Sequence, residues 1–555
     1  MFIFLRSIQR SHQQQVATMN GKKLVILPLT PLKGDSHYMV VLTDGIKNDI
    51  GQSLYADTTT QMLNSKNPLI DDKGNPTVYF HPDPVANTET AAKIEGLRQL
   101  TQMMFAQAVA GGIERENIVM AWSFSTQSIG NVAKAFADAN ATGALALQAT
   151  GLTSSQMIGM AGEDNSSLQG IADMYAGALS NLPYYLGIPS TVNPTAPLTA
   201  SFEMNSSSWL PIVQDNRSIP VLMSVPNIGT APANGWPVVI FQHGITQNRS
   251  NLLAISEAFA SIGYAAVAID LPLHGIDDNA SPLYMPGMER TFDVDFIDNS
   301  TMLPVPDGKI DPSGFHYINL ASLLTSRDNL RQSTSDFIAL KNALSTAVGV
   351  KLDGSRVAFV GHSQGTIASF GFLNHANLES VTLAMPGGGI AQLLNNSATF
   401  GPIIEMGLAS KGIMKGTSAY DAFMLATQTV IDDGDPINYA IGAGEKQNIF
   451  IIGAKGDGAG TPSDLVIPNY VMTAPLSGTR PLVIHMQASD LNLTNAPGLI
   501  PVQGNVVSCF TQGDHSSILD PTASPAATVE MQKQTASFIV TKGNFIQVTD
   551  TTVLQ

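Results

Sequence analysis

The stretch from Arg356 to Phe372 reads Arg-Val-Ala-Phe-Val-Gly-His-Ser-Gln-Gly-Thr-Ile-Ala-Ser-Phe-Gly-Phe. Its first part, residues 357–360, is short and entirely apolar, which predicts a strand buried on both faces of a parallel sheet. Gly-His-Ser-Gln-Gly follows at 361–365, and small residues from Thr366 onward indicate a helix. The stretch is therefore predicted to form a strand, a tight turn and a helix.

A serine placed between two glycines in such a turn, G-x-S-x-G, is the nucleophile elbow of α/β-hydrolases. Ser363 is expected to occupy a strained turn that projects its hydroxyl above the sheet. Gly361 and Gly365 have no Cβ, so the neighbouring strand and helix can approach the turn closely. G-x-S-x-G alone is a common sequence. The strand and helix on either side favour a catalytic serine over an ordinary turn.

The composition indicates a large, acidic, globular protein. The chain has 555 residues, of which 44% are hydrophobic and 13% charged, and its formal net charge is −16. Nucleic-acid partners are not expected, because binding to phosphates needs a basic surface. The sequence holds no run of about 18 apolar residues that could span a membrane. Cys509 is the only cysteine, so no disulfide framework within the chain is expected.

The length predicts two or more domains. Residues 21–130 are predicted to be a small β-rich, Ig-like domain, and residues 131–200, rich in small and polar side chains, a linker into the next domain. Alternating strand and helix patterns over 201–555 predict an α/β-hydrolase domain with a mostly parallel central sheet. Residues 1–20 are a leader of uncertain status, since their apolar run is too short for a secretory signal peptide.

Within the first predicted domain, a helix is expected over 91–109. Its larger apolar side chains recur at helical spacing and share one side of the helix. They are Ile94, Leu97, Leu100, Met103 and Met104.

A catalytic serine needs a base, and in α/β-hydrolases the acid and then the histidine follow the serine along the chain. His515 is the predicted base, because it comes just after a predicted strand and before the last predicted helix. His485 lies in an apolar run, 482–485, with a strand pattern, so a core role suits it better. His362 and His375 adjoin the elbow and are too close in sequence to serve as the base.

The acid is expected in the loop after the apolar run that ends at Gly453. Two aspartates compete there, Asp464 and Asp457. Asp464-Leu-Val-Ile-Pro resembles an Asp-x-Val-x-Pro turn common in this superfamily, so Asp464 is preferred. Asp457 lies among glycines that indicate a flexible turn, and it remains the alternative acid.

The tetrahedral intermediate needs two backbone N–H donors. One is expected from Gln364, directly after the nucleophile. The other is expected from Ile245, because Gln-His-Gly-Ile at 242–245 follows a predicted strand and Gly244 allows close approach of the backbone.

Five aspartates lie in a long insertion at 275–320, where a calcium site and a solvated acidic loop are the two interpretations. The spacing of an EF-hand is missing, which favours the acidic loop. The five are Asp293, Asp295, Asp298, Asp307 and Asp311.

With these residues in place, the chain resembles the bacterial virulence-factor lipases, which include extracellular lipases and lysophospholipases. The resemblance extends from about residue 23 onward and rests on the elbow and four further stretches. These are Ala-Trp-Ser-Phe-Ser-Thr-Gln-Ser (121–128), Trp-Pro-Val-Val-Ile-Phe-Gln-His-Gly-Ile (236–245), Ala-Ile-Asp-Leu-Pro-Leu-His-Gly (268–275) and Arg-Asp-Asn-Leu-Arg-Gln (327–332). The resemblance implies hydrolysis of lipid carboxylic esters by Ser363, Asp464 and His515.

We therefore expect a serine esterase or lipase with no metal or organic cofactor. Its partner would be a lipid or acyl-ester substrate, with peripheral contact to a membrane or lipid surface. The resemblance implies an extracellular or cell-surface location, although no signal peptide or lipid-anchor cysteine is recognised in the sequence. Two alternatives stay open: a hydrolase of small soluble esters, and a surface adhesion module whose hydrolase core is inactive.

Nearly 60 residues separate two predicted sheet strands at about 390–447, although a crossover needs only a dozen or so. The surplus is predicted to form two or more short helices, either packed on the sheet or covering the serine as a lid that lines an acyl groove. Its larger apolar residues are Phe400, Ile403, Ile404, Met406, Leu408, Ile413, Met414, Phe423, Met424 and Leu425. The lid hypothesis predicts a preference for medium or long acyl chains.

Overall fold

The structure is a computed structural model that describes residues 2–4, 15–20, 23–301, 303 and 305–555. The chain divides into two compact units. The first comprises Met1–Ile26 and Leu32–Ile129, and the second Leu27–Pro31 and Gly130–Gln555. Of the predicted leader, residues 1 and 5–14 lie outside the described part of the chain.

The first unit is a small sheet with one long helix. A three-stranded sheet has the order β1-β4-β5, and β2 and β3 form a separate pair. Among the described residues, these five strands are fewer than the about seven of an Ig sandwich. The elements are β1 (Phe2–Phe4), β2 (Gln15–Asn20), β3 (Lys23–Pro28), β4 (His37–Thr43), α1 (Thr58–Asn64), α2 (Pro84–Ala110) and β5 (Ile118–Ser125).

The second unit is built on a ten-stranded sheet with the order β6-β7-β8-β10-β9-β11-β12-β13-β16-β14. Its strands are β6 (Ala144–Thr153), β7 (Ala172–Tyr184), β8 (Asp215–Pro226), β9 (Trp236–Gln242), β10 (Ala265–Ile269), β11 (Leu352–His362), β12 (Val381–Ala384), β13 (Ile449–Ala454), β14 (Ser489–Asp490) and β16 (Val506–Phe510). A separate antiparallel pair is formed by β15 (Gly498–Pro501) and β17 (Phe545–Val548).

The helices of the second unit lie between these strands. They are α3 (Asn131–Ala139), α4 (Ser154–Met160), α5 (Ala196–Thr199), α6 (Ser256–Ser261), α7 (Leu323–Ala343), α8 (Gln364–Ile367), α9 (Phe370–Leu373), α10 (Ile390–Asn396), α11 (Gly401–Ala409), α12 (Ser418–Ile431), α13 (Pro436–Lys446), α14 (Thr479–His485) and α15 (Pro525–Val540). Residues 482–485 therefore belong to α14, and the strand predicted from that short apolar run is wrong.

Neighbouring strands from β10 to β14 are parallel, so their carboxyl ends share one edge of the sheet. The central strands are buried and consist mostly of apolar residues, for example Trp-Pro-Val-Val-Ile-Phe in β9 and Ile-Phe-Ile-Ile-Gly-Ala in β13. Burial on both faces favours such continuous apolar runs. A mostly parallel sheet with helical crossovers and an elbow after β11 is the predicted α/β-hydrolase fold.

The predicted linker at 131–200 is wrong for most of its length. Residues 144–153 and 172–184 form β6 and β7, which extend the sheet by two antiparallel strands. Gly177 explains part of this composition, because a Cβ there would lie 1.9 Å from the backbone oxygen of Ala146. Small residues are needed in β6 and β7 where the two backbones approach closely. Because linkers are also rich in small residues, the composition alone did not distinguish strands from a linker.

Candidate active site

Ser363 occupies the predicted elbow between β11 and α8. Its backbone has φ 53° and ψ −120°, a conformation that is costly for any residue with a side chain. The surroundings of the two flanking glycines show that a Cβ would clash at Gly365 and be tightly packed at Gly361. At Gly365 a Cβ would lie 2.5 Å from the Gln242 carbonyl oxygen, and at Gly361 it would lie 3.1 Å from the Thr366 backbone nitrogen.

Three side chains from three different loops meet at this edge of the sheet. His515 Nε2 lies 2.7 Å from Ser363 Oγ, and His515 Nδ1 lies 2.7 Å from Asp464 Oδ2. Ser363 and Asp464 are buried, at 4% and 7% exposure. The structure thus brings the three predicted triad residues into a single hydrogen-bonded chain, although 152 and 51 residues separate the two pairs.

Asp464 is held in place by its own loop. Its Oδ1 accepts the backbone N–H groups of Val466 and Ile467 at 2.8 and 2.9 Å. The alternative acid, Asp457, is exposed and accepts N–H groups from residues 459, 460 and 461 of its own turn. These bonds, led by the one from Ala459, lower the pKa of Asp457. The structure therefore places Asp464, and not Asp457, beside the histidine.

The predicted oxyanion loop lies directly against the serine. A Cβ at Gly244 would be 3.0 Å from Ser363 Cβ, so a larger residue at position 244 would crowd the serine. The backbone N–H groups of Ile245 and Gln364 have no hydrogen-bond acceptor within the described residues. Two unpaired N–H groups, one from the residue after the serine and one from the adjacent loop, are the kind of donors that stabilise an oxyanion.

His243 fixes the orientation of this loop, a role that no pattern in the sequence indicates. Its Nε2 accepts the Leu271 N–H at 3.1 Å, which leaves the proton on Nδ1 for a 2.8 Å bond to the Gly244 carbonyl oxygen. Burial lowers the pKa of His243 to about 3, so the ring stays neutral. In a planar peptide unit the Ile245 N–H points opposite to the Gly244 carbonyl. Anchoring that carbonyl therefore directs the Ile245 N–H.

The remaining candidates make no hydrogen bond to Ser363 or Asp464 within the described residues. His485 is half-buried on α14, and His375 follows α9. In the acidic insertion, Asp295 accepts the N–H groups of residues 307 and 308, and Asp311 pairs with His316 at 2.9 Å. These insertion carboxylates thus bind their own loop.

Residues 10–156 match the family model of the bacterial virulence factor lipase N-terminal domain. This match confirms the predicted resemblance to that lipase family for the matched residues. A search of curated proteins finds no match.

Many solved structures are similar to this chain, at low identity for the three described below. An acetyl xylan esterase from Paenibacillus sp. R4 is 16% identical over 73% of this chain and 92% of its own, with a TM-score of 0.38. An S-formylglutathione hydrolase from Agrobacterium tumefaciens is 11% identical over 66% of this chain and 95% of its own, with a TM-score of 0.31. A Pyrococcus horikoshii acylaminoacyl peptidase is 12% identical over 68% of this chain and 49% of its own, with a TM-score of 0.34.

The lipase-domain match and the hydrolase fold indicate a carboxylic ester hydrolase. Within the part of the chain that the structure describes, no helix is both long and apolar enough to cross a membrane.

Proposed function

We propose that this chain is a serine hydrolase of lipid carboxylic esters, acting as a lipase or lysophospholipase. One observation carries the proposal: His515 bridges Ser363 and Asp464 through its two ring nitrogens, at 2.7 Å on each side. This arrangement lets a weakly nucleophilic hydroxyl lose its proton as it attacks a carbonyl.

In the first half-reaction, Ser363 Oγ bonds to the ester carbonyl carbon while His515 Nε2 takes the hydroxyl proton. The carbonyl π-electrons move to oxygen, and the N–H groups of Ile245 and Gln364 stabilise that oxyanion. The intermediate collapses, the bond to the alcohol breaks, and His515 delivers its proton to the departing oxygen. Asp464 stabilises the transient imidazolium.

In the second half-reaction, a water molecule takes the place of the alcohol. His515 accepts a proton from the water as its oxygen bonds to the acyl carbon, and the oxyanion forms again at the same two N–H groups. When the intermediate collapses, the bond to Ser363 Oγ breaks and His515 returns the proton to the serine. Ester and water have become acid and alcohol, and every group of the enzyme is restored.

The helical segment between β12 and β13 supports a lipid substrate. Within it, Asp435 joins the start of α10 to the start of α13, because it accepts the N–H groups of Gly389, Ile390 and Ile437 at 2.8, 2.6 and 3.0 Å. The chain between these two helix starts exposes large apolar side chains on α11, on α12 and in the loop that joins them. Met406 is 62% exposed, Met414 54% and Leu425 70%.

The same segment is bound to the loop that carries the acid. The backbone N–H of Thr399 donates to the Leu465 carbonyl oxygen at 3.1 Å, and Leu465 directly follows Asp464. The Leu465 side chain is 52% exposed. Exposed apolar side chains in a segment that is hydrogen-bonded to the acid loop suit a lid that receives an acyl chain, and each buried CH₂ contributes about 0.8 kcal/mol.

An extracellular or cell-surface site of action is part of the proposal and rests on the family resemblance. It is tested by measuring esterase activity in the medium, on the cell surface and in the cytosol of the native producer. Activity confined to the cytosol would contradict it.

Two experiments test the function. A serine-directed fluorophosphonate probe should label the wild-type chain at Ser363, whereas an inactive adhesion module would not react. A panel of p-nitrophenyl esters of increasing acyl length, triglyceride, phosphatidylcholine and lysophosphatidylcholine then defines the substrate. Turnover restricted to acetate and butyrate esters would favour the hydrolase of small soluble esters.

A further inference from the structure

The residue before the nucleophile contacts the backbone of the base. His362 is the last residue of β11, is 5% exposed, and places its Nε2 2.7 Å from the backbone carbonyl oxygen of His515. The two imidazole rings are 5.3 Å apart between centroids. The His362 ring therefore lies between β11, the strand that leads into Ser363, and the loop that carries His515.

The protonation state of His362 follows from its contacts. A carbonyl oxygen only accepts hydrogen bonds, so Nε2 carries a proton. Burial lowers the pKa of His362 to about 4, with a further contribution from the nearby His515, so the ring is neutral near pH 7. The other nitrogen, Nδ1, then holds a lone pair. It is buried and has no partner within the described residues.

We propose that His362 is a positioning residue, which holds the His515 loop at the distance required for proton transfer from Ser363. This proposal rests on the hydrolase function proposed above. Neutral His362 donates through Nε2–H without placing a second positive charge beside the imidazolium that forms on His515. Its Nδ1 contributes nothing to this role.

The other hydrogen bonds of the base loop show what the bond from His362 to the His515 carbonyl adds. Within the base loop, Asp514 accepts the Ser516 N–H at 2.9 Å and the Ser517 hydroxyl at 3.0 Å. Both bonds close the loop on itself. Other bonds hold it to the C-terminal part of the chain, from the Thr511 N–H to the Val553 carbonyl oxygen at 2.9 Å and from Gln532 Nε2 to the Ile518 carbonyl oxygen at 2.9 Å, and none of these bonds reaches β11. The His362 bond fixes the distance between the loop and β11 from the strand side. A misplacement of about 1 Å at a reacting group can cost about 100-fold in rate.

Two conservative substitutions test the hydrogen bond from His362 to the His515 carbonyl oxygen separately from the packing of the ring. In His362→Gln the side-chain NH₂ can take the position of the imidazole Nε2 and donate to the same carbonyl. In His362→Asn the NH₂ lies about where Nδ1 was, and the donor is lost. Both variants remove the ring, so they should share the loss of packing and have similar melting temperatures.

We expect His362→Gln to keep kcat within about fivefold of wild type, and His362→Asn to lose about 100-fold in kcat with KM changed less than about threefold. Equal kcat values for the two variants, whether high or low, would overturn the proposal and leave His362 as a core side chain.

A second readout does not depend on turnover. The proton between His515 Nδ1 and Asp464 should give a far-downfield ¹H resonance in the wild-type protein. This resonance should be retained in His362→Gln and shifted or broadened in His362→Asn. An unchanged resonance in His362→Asn would also overturn the proposal. Failure of the hydrolase function itself would appear separately, as an inert wild-type protein with this resonance intact.

Discussion

Asp464 faces His515 with only one of its two carboxylate oxygens. Oδ2 lies 2.7 Å from His515 Nδ1, while Oδ1 is occupied by the backbone N–H groups of Val466 and Ile467. The backbone thus determines which oxygen the histidine meets. It would also determine how an amide at this position is oriented.

Asp464→Asn should lower kcat by about 10⁴-fold. The two backbone donors require an oxygen at their side, so the amide NH₂ is turned toward His515 Nδ1. That ring nitrogen must then accept, and Nε2 carries the proton and cannot take one from Ser363. Asp457→Asn is the matched control, and its kcat should stay within about threefold of wild type. The reverse ranking of the two variants would move the acid to Asp457.

Ser363→Ala should abolish ester hydrolysis and fluorophosphonate labelling while the protein stays folded. The change removes one hydroxyl and leaves the elbow backbone intact. Circular dichroism and the melting temperature should match those of the wild type. Hydrolysis within tenfold of wild type would rule out Ser363 as the nucleophile.

Gly365→Ala should destabilise the second unit by more than about 2 kcal/mol and abolish activity. The new Cβ would lie 2.5 Å from the Gln242 oxygen and 2.6 Å from the His243 oxygen, and both are backbone atoms that cannot rotate away. Gly407→Ala is the control. A Cβ on this helical glycine would meet no atom within 4 Å, so alanine should stabilise by about 0.5–1 kcal/mol. Thermal unfolding of both variants tests this prediction. Equal melting temperatures for Gly365→Ala and Gly407→Ala would show that a Cβ at position 365 does not clash.

Met406→Asp should reduce kcat/KM for long-chain esters by about tenfold and leave acetate esters nearly unaffected. Met406 is a largely exposed side chain of α11, and a carboxylate there would oppose binding of an acyl chain. Phe423→Asp on α12 should act in the same direction.

Val529→Asp on α15 is the matched control for the acyl-chain test. Val529 is 50% exposed and lies outside the helical segment, so this change should affect all esters equally. An equal loss for long and short esters in Met406→Asp would contradict an acyl groove at these helices.

Stability should fall as the pH drops from 6.5 toward 4, because three buried histidines cannot take up a proton. Burial lowers the pKa of His243 and His274 to about 3 and of His362 to about 4, whereas an unfolded histidine titrates near 6.5. The unfolded state binds more protons in this window, so each histidine removes about 1.4 kcal/mol of stability per pH unit. Asp336, Asp432 and Asp435 oppose this fall, because burial raises the pKa of each carboxyl, to about 6 for Asp432, and the folded state then takes up their protons first. Burial also lowers the pKa of His375 and His485, which adds to the fall.

His274→Leu isolates the effect of one histidine. Between pH 5 and 6.5, its free energy of unfolding should depend less steeply on pH than that of the wild type, by about one proton. Urea titrations at several pH values measure the difference. Identical slopes would mean that His274 is protonated in the folded state.

Local patterns were enough to predict the central sheet and the placement of the candidate triad. Strand, elbow and helix around Ser363 are adjacent in sequence, and the chain order of acid and histidine narrows the choice to a few loops. The roles of His243 and His362 could not be predicted. They depend on which backbone atoms the ring nitrogens meet, 28 residues away for His243 and 153 for His362.

Helix α2 shows a second limit of sequence patterns. Its predicted apolar side is partly exposed, with Leu97, Leu100 and Met103 all more than half accessible. Its buried side instead holds the ion pair of Glu95 and Arg98, at 2.7 Å. Two opposite charges can be buried when they satisfy each other, and the pairing lowers the pKa of Glu95 to about 2. Periodicity alone does not reveal such a pair.

The distance along the chain between Ser363 and His515 sets the timing of activity during synthesis. The nucleophile leaves the ribosome 152 residues before its base, which is roughly 8–30 s at about 5–20 residues per second. Strand β16, which leads to His515, pairs with β13 and adds to a sheet whose centre is already available. A nascent chain that has exposed its serine therefore still lacks acid and base. The hydrogen bond between Ser363 and His515 can form only after β16 and the loop that follows it have emerged and docked.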